Sequence, residues 1–386
     1  MGNRRGHGEG SIYQRESDGK WCTSVDLGRM EGKRRRKVIY GRTRKEVAEK
    51  LKVVLREQQQ GLPVIVERQT VGQFLERWLE DVARPRLRPK TYHSYAQLVR
   101  LHLAPTLGHH QLSKLAPQQV QAMMNAKLAS GLSPRTVQYL RAVLRRAIGQ
   151  ALKWGLVSRN VVLLTDPPRV TRPEIATLTP VQARAFLDAV KGARLESLYA
   201  VALALGLRQG EALGLRWQDV DFDGGVLHVR VALQRVRGEP ARLVEPKTRQ
   251  SRRTLPMPAI IVAQLRAHHD RQLTECVTAG PAWQGEHWGL VFCTATGTPL
   301  DARHVVFYFK RQLRHAGLPD IRFHDLRHSC ASLLLAQNVH PRVVMEILGH
   351  STIALTMNTY SHVLPEAQRQ AATLMDDLFG ATEGGG

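Results

Sequence analysis

Cysteine is scarce in this chain, and the spacing of the cysteines excludes the common cysteine-based sites. The four cysteines lie far apart and form no C-x-x-C pair; they are Cys22, Cys276, Cys293 and Cys330. We therefore expect neither a disulfide framework nor a cysteine-ligated zinc site, and a reducing compartment is the simplest setting. The G-x-x-x-x-G-K-S/T pattern is also missing, so no P-loop ATPase is expected.

Long apolar runs are missing as well. The first ten residues contain no apolar core, and position 6 is Gly6 where a myristoylation motif needs Ser or Thr. No run approaches the roughly 18 apolar residues of a membrane span. We therefore expect no signal peptide, no myristoyl anchor and no membrane partner, and a cytoplasmic location.

Acidic residues are the third scarce class. Asp plus Glu number 33 against 56 for Lys plus Arg, which gives a net charge of +23. Between Asp81 and Asp166 no acidic residue occurs, while the same interval contains Arg84, Arg86, Arg88, Lys90, Arg100, Lys114, Lys127, Arg135, Arg141, Arg145, Arg146, Lys153 and Arg159. Ordinary soluble helices mix charge signs and gain i,i+4 pairs. The absence of acidic partners for such pairs in this interval predicts a polyanionic partner, for which nucleic acid is the best fit.

Length and patterning predict several domains. A chain of 386 residues with 43% hydrophobic residues can bury two or three cores. We predict a small β-β-β-α domain at 1–66, a helical domain at 67–170 and a mixed α/β domain at 171–386. A Gln-rich linker at 58–63 and a proline-rich break at 166–173 mark the boundaries. The predicted fold class is multidomain, mainly α with α+β.

The first domain combines a strand pattern with a basic run. Short strands are predicted at 12–13, 20–25 and 37–40, and Thr43 with Glu46 forms a capping box for the helix that follows. The basic run at 33–37 lies at the start of the third strand. The ordinary explanation of such a run is a hairpin that faces solvent. In so basic a chain we favour a hairpin laid against DNA, with contacts from Arg34, Arg35 and Arg36.

The second domain contains one especially clear amphipathic helix. It begins at Ser133-Pro134, an N-cap followed by proline at the first helical position. Its apolar side predicts core packing, and its polar side predicts a helix facing a phosphate backbone rather than plain solvent. The predicted DNA contacts are Arg135, Arg141, Arg145 and Arg146, together with Lys90 from the same acid-free interval.

The third domain contains four local patterns in a fixed order. They are Gly206-Leu-Arg208-Gln-Gly-Glu211, the basic segment 246–253 with Lys247, His324-Asp-Leu-Arg327-His328, and Leu348-Gly-His350 followed by Tyr360 in Asn-Thr-Tyr-Ser-His. Together they supply a cationic cluster and one phenol, without paired carboxylates. Arginines bind phosphate oxygens and a tyrosine can act as a covalent nucleophile, so the set suits phosphoryl transfer.

With these motifs the chain resembles the tyrosine recombinases, specifically the phage-type integrases, over nearly its whole length. Any one motif is weak, but their combination and order are highly specific. The resemblance implies that 1–66 is an arm-type DNA-binding domain, 67–170 a core-site DNA-binding domain and 171–386 the catalytic domain with a C-terminal helix at 365–379, which could dock on a neighbouring copy or on its own domain. It implies double-stranded DNA with core-type and arm-type sites as the partner, and four copies assembled on that DNA. A host bending protein or an excisionase would be an accessory partner, and the bacterial nucleoid the place of action.

The resemblance also implies a role for each matched residue. The implied roles are nucleophile for Tyr360, phosphate binding for Arg208, Arg327 and His350, proton donation to the leaving 5′-oxygen for Lys247, and transfer of the tyrosine proton for His324. Glu211 would support the site near Arg208, and His328 would pack behind it. Arg249, Arg252 and Arg253 are rivals for the charge role of Lys247. Strand exchange of this type needs no cofactor, metal or ATP.

Several alternatives stay open at this level. A decayed integrase that binds DNA without chemistry would not need all five of Arg208, His324, Arg327, His350 and Tyr360. A metal-dependent transposase or nuclease could use Asp219 and Asp221, although these are ordinary turn residues before a strand predicted at 227–233. The i,i+4 pair of histidines also suits zinc, but the arginine between them opposes it. A chromosome-dimer resolvase is the nearest alternative among the tyrosine recombinases.

Overall fold

The computed structural model describes residues 11–30, 33–59, 69–171, 175–236, 238–246 and 251–349, together with 372, 373, 375, 376 and 379. Side chains are described over these ranges except at 27–30, 33–35, 37 and 56–59. The chain divides into two compact units, Met1–Arg172 and Pro173–Gly386. Within the described ranges, none of the helices combines the length and the apolar composition that a membrane span needs.

The first unit begins with a three-stranded antiparallel sheet and one helix. The elements are β1 Tyr13–Gln14, β2 Trp21–Met30, β3 Lys33–Gly41 and α1 Arg44–Gln59. Strand order is β1-β2-β3, and α1 packs Val47 and Leu51 against Val25 and Ile39 on one face of the sheet. The predicted β-β-β-α order is confirmed, with β2 and β3 longer than predicted and β1 shifted by one residue. Thr43 caps α1 through the Glu46 N–H, but the Glu46 carboxylate binds the N–H of Arg42 instead of closing the box.

The rest of the first unit is helical. Its helices are α2 Val71–Trp78, α3 Arg84–Arg86, α4 Pro89–Leu98, α5 Ala104–Leu107, α6 Pro117–Ala129 and α7 Pro134–Lys153. The Ser133 hydroxyl accepts the N–H of Thr136, as expected of an N-cap. The apolar stripe of α7 is fully buried at Val137 and Leu140, which confirms its core role.

Two of the helical segments contain a π-helical turn, which is wider than an α-helical turn, just before a proline. The π-helical turns Leu79–Ala83 and Val99–Leu103 join α2 to α3 and α4 to α5. Each ends two residues before a proline, Pro85 or Pro105. A proline inside a helix has no N–H to donate and clashes with the carbonyl four residues earlier. A π turn just before it relieves that clash and keeps the helix continuous.

The second unit packs helices around two small sheets. Its elements are α8 Pro180–Ala189, α9 Glu196–Ala204, α10 Gln209–Leu213, β4 Val220–Asp221, β5 Val226–Val229, β6 Ala232–Gln234, β7 Arg242–Val244, β8 Arg253–Pro256, α11 Ala259–Ala279, α12 Gly285–Trp288, α13 Ala302–His315, α14 Asp325–Ala336 and α15 Pro341–Leu348. The sheets have the orders β4-β5-β8 and β6-β7. Helix α9 is buried along most of its length and packs on α11 and α14.

The strand predicted at 227–233 is wrong in its extent. The structure divides it into β5, which pairs with β4 and β8, and β6, which pairs with β7. The division falls at Arg230, whose Nη1 lies 3.2 Å from the buried Asp219 carboxylate. The run at 227–233 by itself does not show where one partner strand ends and the next begins, because strand pairing depends on distant segments of the chain.

Candidate functional site

Arg208 stands at the start of α10, directly after the buried helix α9. The turn between them needs glycine, because Gly206 has φ +60° and a Cβ there would lie 2.6 Å from Leu348. Arg208 donates its N–H to Glu211 Oε2 at 3.0 Å and its Nη1 to Glu211 Oε1 at 2.6 Å. Its Nη2 donates to the carbonyl of Gly349 at 3.1 Å. These bonds hold the guanidinium in place. The side chain is 36% exposed, so it is still accessible to a ligand.

Glu211 lies between two guanidinium groups. Its side chain is 4% exposed, and Arg253 Nη2 lies 3.0 Å from Oε2 while Arg208 occupies Oε1. Burial by itself would raise the pKa of Glu211, but Arg253 and then Arg208 outweigh it and hold that pKa below its usual value. Glu211 is therefore ionised at neutral pH and fixes both arginines. This agrees with its predicted supporting role.

Arg327 approaches the same turn from α14. It is 2% exposed, and its Nη1 donates to the carbonyl of Gly206 at 2.7 Å. The hydrophobic neighbour Leu326 belongs to the core of the second unit. The structure thus brings Arg327 beside the turn that carries Arg208, although 119 positions separate them in the chain.

His324 and His328 occupy the first turn of α14. Their ring centroids are 5.2 Å apart in an edge-to-face arrangement. The His324 side chain reaches solvent, yet the surrounding protein and then the Arg327 charge lower its pKa. Burial and the neighbouring His324 lower the pKa of His328 to about 4. Both imidazoles are therefore neutral at pH 7, and His324 can accept a proton at an accessible edge.

We expect His328 to make the folding stability of the second unit depend on pH. In the unfolded chain its pKa is about 6.5, whereas in the fold it is about 4. Between these values the unfolded state binds more protons, so stability is complete above pH 6.5 and is lost as the pH falls towards 4. Linkage gives a loss of about 2 kcal/mol at pH 5. Urea unfolding at pH 7 and pH 5 measures it, and a His328→Gln variant that kept the full loss would contradict the assignment.

The aspartates near the predicted motifs are held by other groups of the protein, Asp325 and Asp219 by arginines and Asp221 by backbone N–H groups. Asp325 accepts the N–H of Arg322 at 2.7 Å and three bonds from its guanidinium, two of them from Nε. Asp219 is 1% exposed and pairs with Arg216 at 2.7 Å. Asp221 accepts two backbone N–H groups of the following turn, as predicted. Within the described ranges, no three His, Cys, Asp or Glu side chains are grouped as a metal site requires.

Arg253 is the site residue that sequence reasoning missed. It was considered only as a rival for the charge of Lys247, yet it is 7% exposed and bound to Glu211. Its neighbour Arg252 is 53% exposed and pairs with Glu245. Neighbouring side chains of an extended segment point to opposite sides. The position of Arg253 at the start of β8 was therefore the one sequence signal that could have distinguished it from Arg252. The predicted residues Lys247, His350 and Tyr360, and the rival Arg249, lie outside the described residues.

The predicted DNA-facing side of α7 divides into two groups. Arg141 donates to Thr165 at 3.0 and 2.8 Å, and Arg146 donates to the Tyr95 hydroxyl at 2.8 Å. These two guanidinium groups tie α7 to neighbouring segments. Lys90, Arg135 and Arg145 are exposed, and Arg146 is exposed as well although it binds Tyr95. A shallow cavity of about 440 Å³ opens beside Arg135 and is lined by Arg135, Thr136, Gln138, Tyr139 and Ala142.

The sheet of the first unit has one open face. Alternation along β2 and β3 places Cys22 beside Tyr13 and Tyr40 on the face opposite α1. Tyr13 and Tyr40 are about half exposed, and Arg36 on the same face is exposed. The side chains of Arg34 and Arg35 lie outside the described residues, while their backbone belongs to β3.

The sequence of this chain is similar to those of known proteins over nearly its whole length. Residues 176–367 match the description "Phage integrase family", and residues 70–128 match "Phage integrase, N-terminal SAM-like domain". A protein of Caldanaerobacter subterraneus subsp. tengcongensis named "Tyrosine recombinase XerC-like" is 32% identical over 95% of this chain and 98% of its own length. A protein of Streptomyces ambofaciens named "Integrase" is 34% identical over 98% of each chain.

Solved structures with the same fold include two that are bound to DNA. The Tn1549 transposon integrase in complex with transposon right end DNA gives a TM-score of 0.67 at 22% identity, covering 78% of this chain and all of that chain. The lambda integrase tetramer bound to a Holliday junction gives 0.57 at 18% identity, covering 88% and 95%. These likenesses confirm the predicted multidomain, mainly helical fold class.

Proposed function

Since this chain belongs to the phage integrase family of tyrosine recombinases, we propose that it cuts and rejoins DNA strands through a covalent bond between Tyr360 and a 3′-phosphate. As a member of this family it is an enzyme of site-specific DNA recombination acting on mobile elements. The observation that carries the mechanism is the guanidinium of Arg208, held by Glu211 and still accessible to a ligand.

Charge stabilisation is the task of the arginines in this proposal. Arg208 and Arg327 bind the non-bridging oxygens of the scissile phosphate, and His350 adds a hydrogen bond. Because the fold already orients Arg208 and Arg327, little reorganisation is needed as negative charge builds up in the transition state. Planar guanidinium groups match phosphate oxygens in pairs, so they can supply the charge that metal ions supply in other phosphoryl transfers.

The remaining groups move protons. The Tyr360 oxygen attacks phosphorus, the bond to the 5′-oxygen breaks, and Lys247 protonates that oxygen. The tyrosine proton passes towards His324, which is neutral at pH 7 because its pKa is lowered. In the second step a 5′-hydroxyl of the partner duplex attacks the phosphotyrosine and Tyr360 leaves. Each step exchanges one phosphoester for another, so no ATP is consumed.

Covalent capture tests the chemistry. We expect the purified protein, incubated with fragmented DNA of its source in EDTA and without ATP, to give DNA that stays attached to protein in SDS. Sequencing of the attached DNA would identify the recombination site. Strong DNA binding with no attached DNA would favour the catalytically silent alternative, and capture that needed Mg²⁺ would favour the metal-dependent one.

The first unit is proposed to bind DNA at two kinds of site. The exposed cations Lys90, Arg135, Arg145 and Arg146 would contact core-site phosphates, while Arg141, which donates two bonds to Thr165, would fix the helix that presents them. The open face of the β1-β2-β3 sheet, with Arg36 and the run at 33–37, would bind arm-type sites. This additional domain favours an integrase over a chromosome-dimer resolvase.

Deleting residues 1–66 tests that assignment. We expect the truncated protein to bind a core-site duplex with an affinity within about threefold of the full chain, because the proposed core contacts remain. Integration into a substrate with arm sites should fall by about tenfold or more, because those contacts are lost. Mobility-shift and recombination assays measure both, and unchanged integration would contradict the arm-domain assignment.

Assembly and location follow from the same proposal. The lambda integrase with this fold forms a tetramer on a Holliday junction, and we propose four copies of this chain on two duplexes. A host bending protein or an excisionase would then control the direction of the reaction. The place of action would be the nucleoid, in the cytoplasm of a bacterial cell.

A further inference from the structure

Arg253 is a buried arginine at the edge of the proposed active site. It is the first residue of β8, paired with Val229 of β5, and the last residue of the basic segment 246–253 that contains Lys247. Only 7% of its side chain is exposed. A guanidinium is costly to remove from water, so a burial of this degree requires good partners.

Each nitrogen of the Arg253 guanidinium has an acceptor, and the acceptors come from three segments. Nη2 donates to Glu211 of α10 at 3.0 Å, and Nε donates to the carbonyl of Ile347 of α15 at 2.6 Å. Nη1 donates to the carbonyl of Ser251 at 3.2 Å. The side chain therefore joins its own strand to two helices of the site.

The same two helices are joined a second time by Arg208. Arg208 binds Glu211 and donates to the carbonyl of Gly349 at 3.1 Å. The carbonyls of Ile347 and Gly349 belong to the end of α15, where a helix leaves its acceptors without intrahelical partners and favours positive charge. Gly349 ends this helix in the left-handed region, with φ +61°, and His350 follows at once.

We propose that Arg253 is a positioning residue that holds Glu211, and through it Arg208, while fixing the end of α15 from which His350 emerges. The inference rests on the proposed function and adds to it a residue that does not touch DNA. Arg253, Glu211 and Arg208 form one clamp, in which a single carboxylate orients two guanidinium groups and these bind two carbonyls of one helix end.

The test compares Arg253→Gln and Arg253→Lys with a matched control. Arg194 supplies the control, because it also binds a carboxylate, Glu275, at 3.0 and 2.7 Å and a carbonyl, that of Cys293, at 2.8 Å. Arg194→Gln therefore removes the same kinds of bond from the same unit, away from the proposed site. Because Arg194 is 37% exposed and Arg253 only 7%, thermal unfolding of each variant measures its folding cost separately from the cleavage rate.

The first measurement is single-turnover cleavage of a duplex that carries the captured site, at saturating protein. We expect Arg253→Gln to cleave about 100-fold more slowly with an unchanged Kd, Arg253→Lys to recover part of the rate, and Arg194→Gln to stay within threefold of wild type. On a substrate with a neutral methylphosphonate at the scissile position, the defect should shrink below about tenfold, because Arg208 then has less charge to neutralise. An equal loss on both substrates, or in the control, would overturn the proposal.

The second measurement needs no DNA. We expect Arg253→Gln to raise amide hydrogen exchange at 341–349, because the end of α15 loses one of the two arginine bonds described above, while Arg194→Gln leaves that segment unchanged. Unchanged exchange with Arg253→Gln would overturn the clamp even if the protein proved to be an active recombinase. A wild-type protein that formed no covalent complex would instead refute the proposed function, and exchange would still decide whether Arg253 holds this helix end.

Discussion

Replacing Tyr360 by phenylalanine is expected to abolish the covalent DNA complex while DNA binding stays intact. The variant keeps the ring and removes only the oxygen that would bond to phosphorus. We expect captured DNA to fall by at least about 1000-fold, because no other group of the proposed site can form the same ester. The measurement is SDS-resistant complex on a radiolabelled duplex, with binding followed in parallel by mobility shift.

Tyr199 provides the matched control for this prediction. It lies in α9, is 1% exposed, and its hydroxyl has no hydrogen-bond partner among the described residues. A side chain this buried cannot reach DNA. Burial also raises the pKa of the Tyr199 phenol, so it does not ionise at neutral pH. Tyr199→Phe should capture DNA at the wild-type level. Equal capture by Tyr360→Phe and wild type would mean that a different tyrosine is the nucleophile.

Removing the Arg208 guanidinium is expected to have the next largest effect. We expect Arg208→Ala to slow single-turnover cleavage by about 100- to 1000-fold, the range found when one preorganised donor to a transition-state oxyanion is removed. The loss should lie in the cleavage rate rather than in Kd, because the many other phosphate contacts determine affinity. Cleavage at saturating protein, together with a separate binding isotherm, distinguishes the two.

Arg216 is a suitable control for Arg208. It forms the same i,i+3 pair with a buried carboxylate, Asp219, at 2.7 Å, and its side chain is 22% exposed. Arg216→Ala should therefore carry a similar folding cost without the catalytic loss. If both variants lost the same activity, Arg208 would have a structural role only.

Local sequence signals predicted the helix starts well. Thr43 and Ser133 each accept a backbone N–H of the first turn, and the apolar stripe after Pro134 is buried as its spacing requires. These features depend on residues within a few positions of each other. Capping and periodicity are short-range effects, so one chain segment is enough to specify them.

Pairing between distant segments was not predictable in the same way. The run at 227–233 divides between two sheets because its two halves meet different partner strands. Arg141 and Arg146 have the spacing of a solvent-facing stripe, yet Thr165 and Tyr95 bind them. A charged side chain on the polar side of a helix can face solvent, DNA or another segment, and spacing does not distinguish these.

Residue identity and short-range spacing predicted the family and the order of the elements in the first unit, and both predictions are confirmed. The motif residues of the site stay a prediction from the same patterns. How the described motifs meet depends on the packing of the whole second unit. The tertiary structure placed Arg327 at the carbonyl before Arg208, joined Arg208 and Arg253 through Glu211, and bound both arginines to the end of α15. The physical reason is that a buried charge is stable only beside its partners, and packing of the whole unit determines which partners those are.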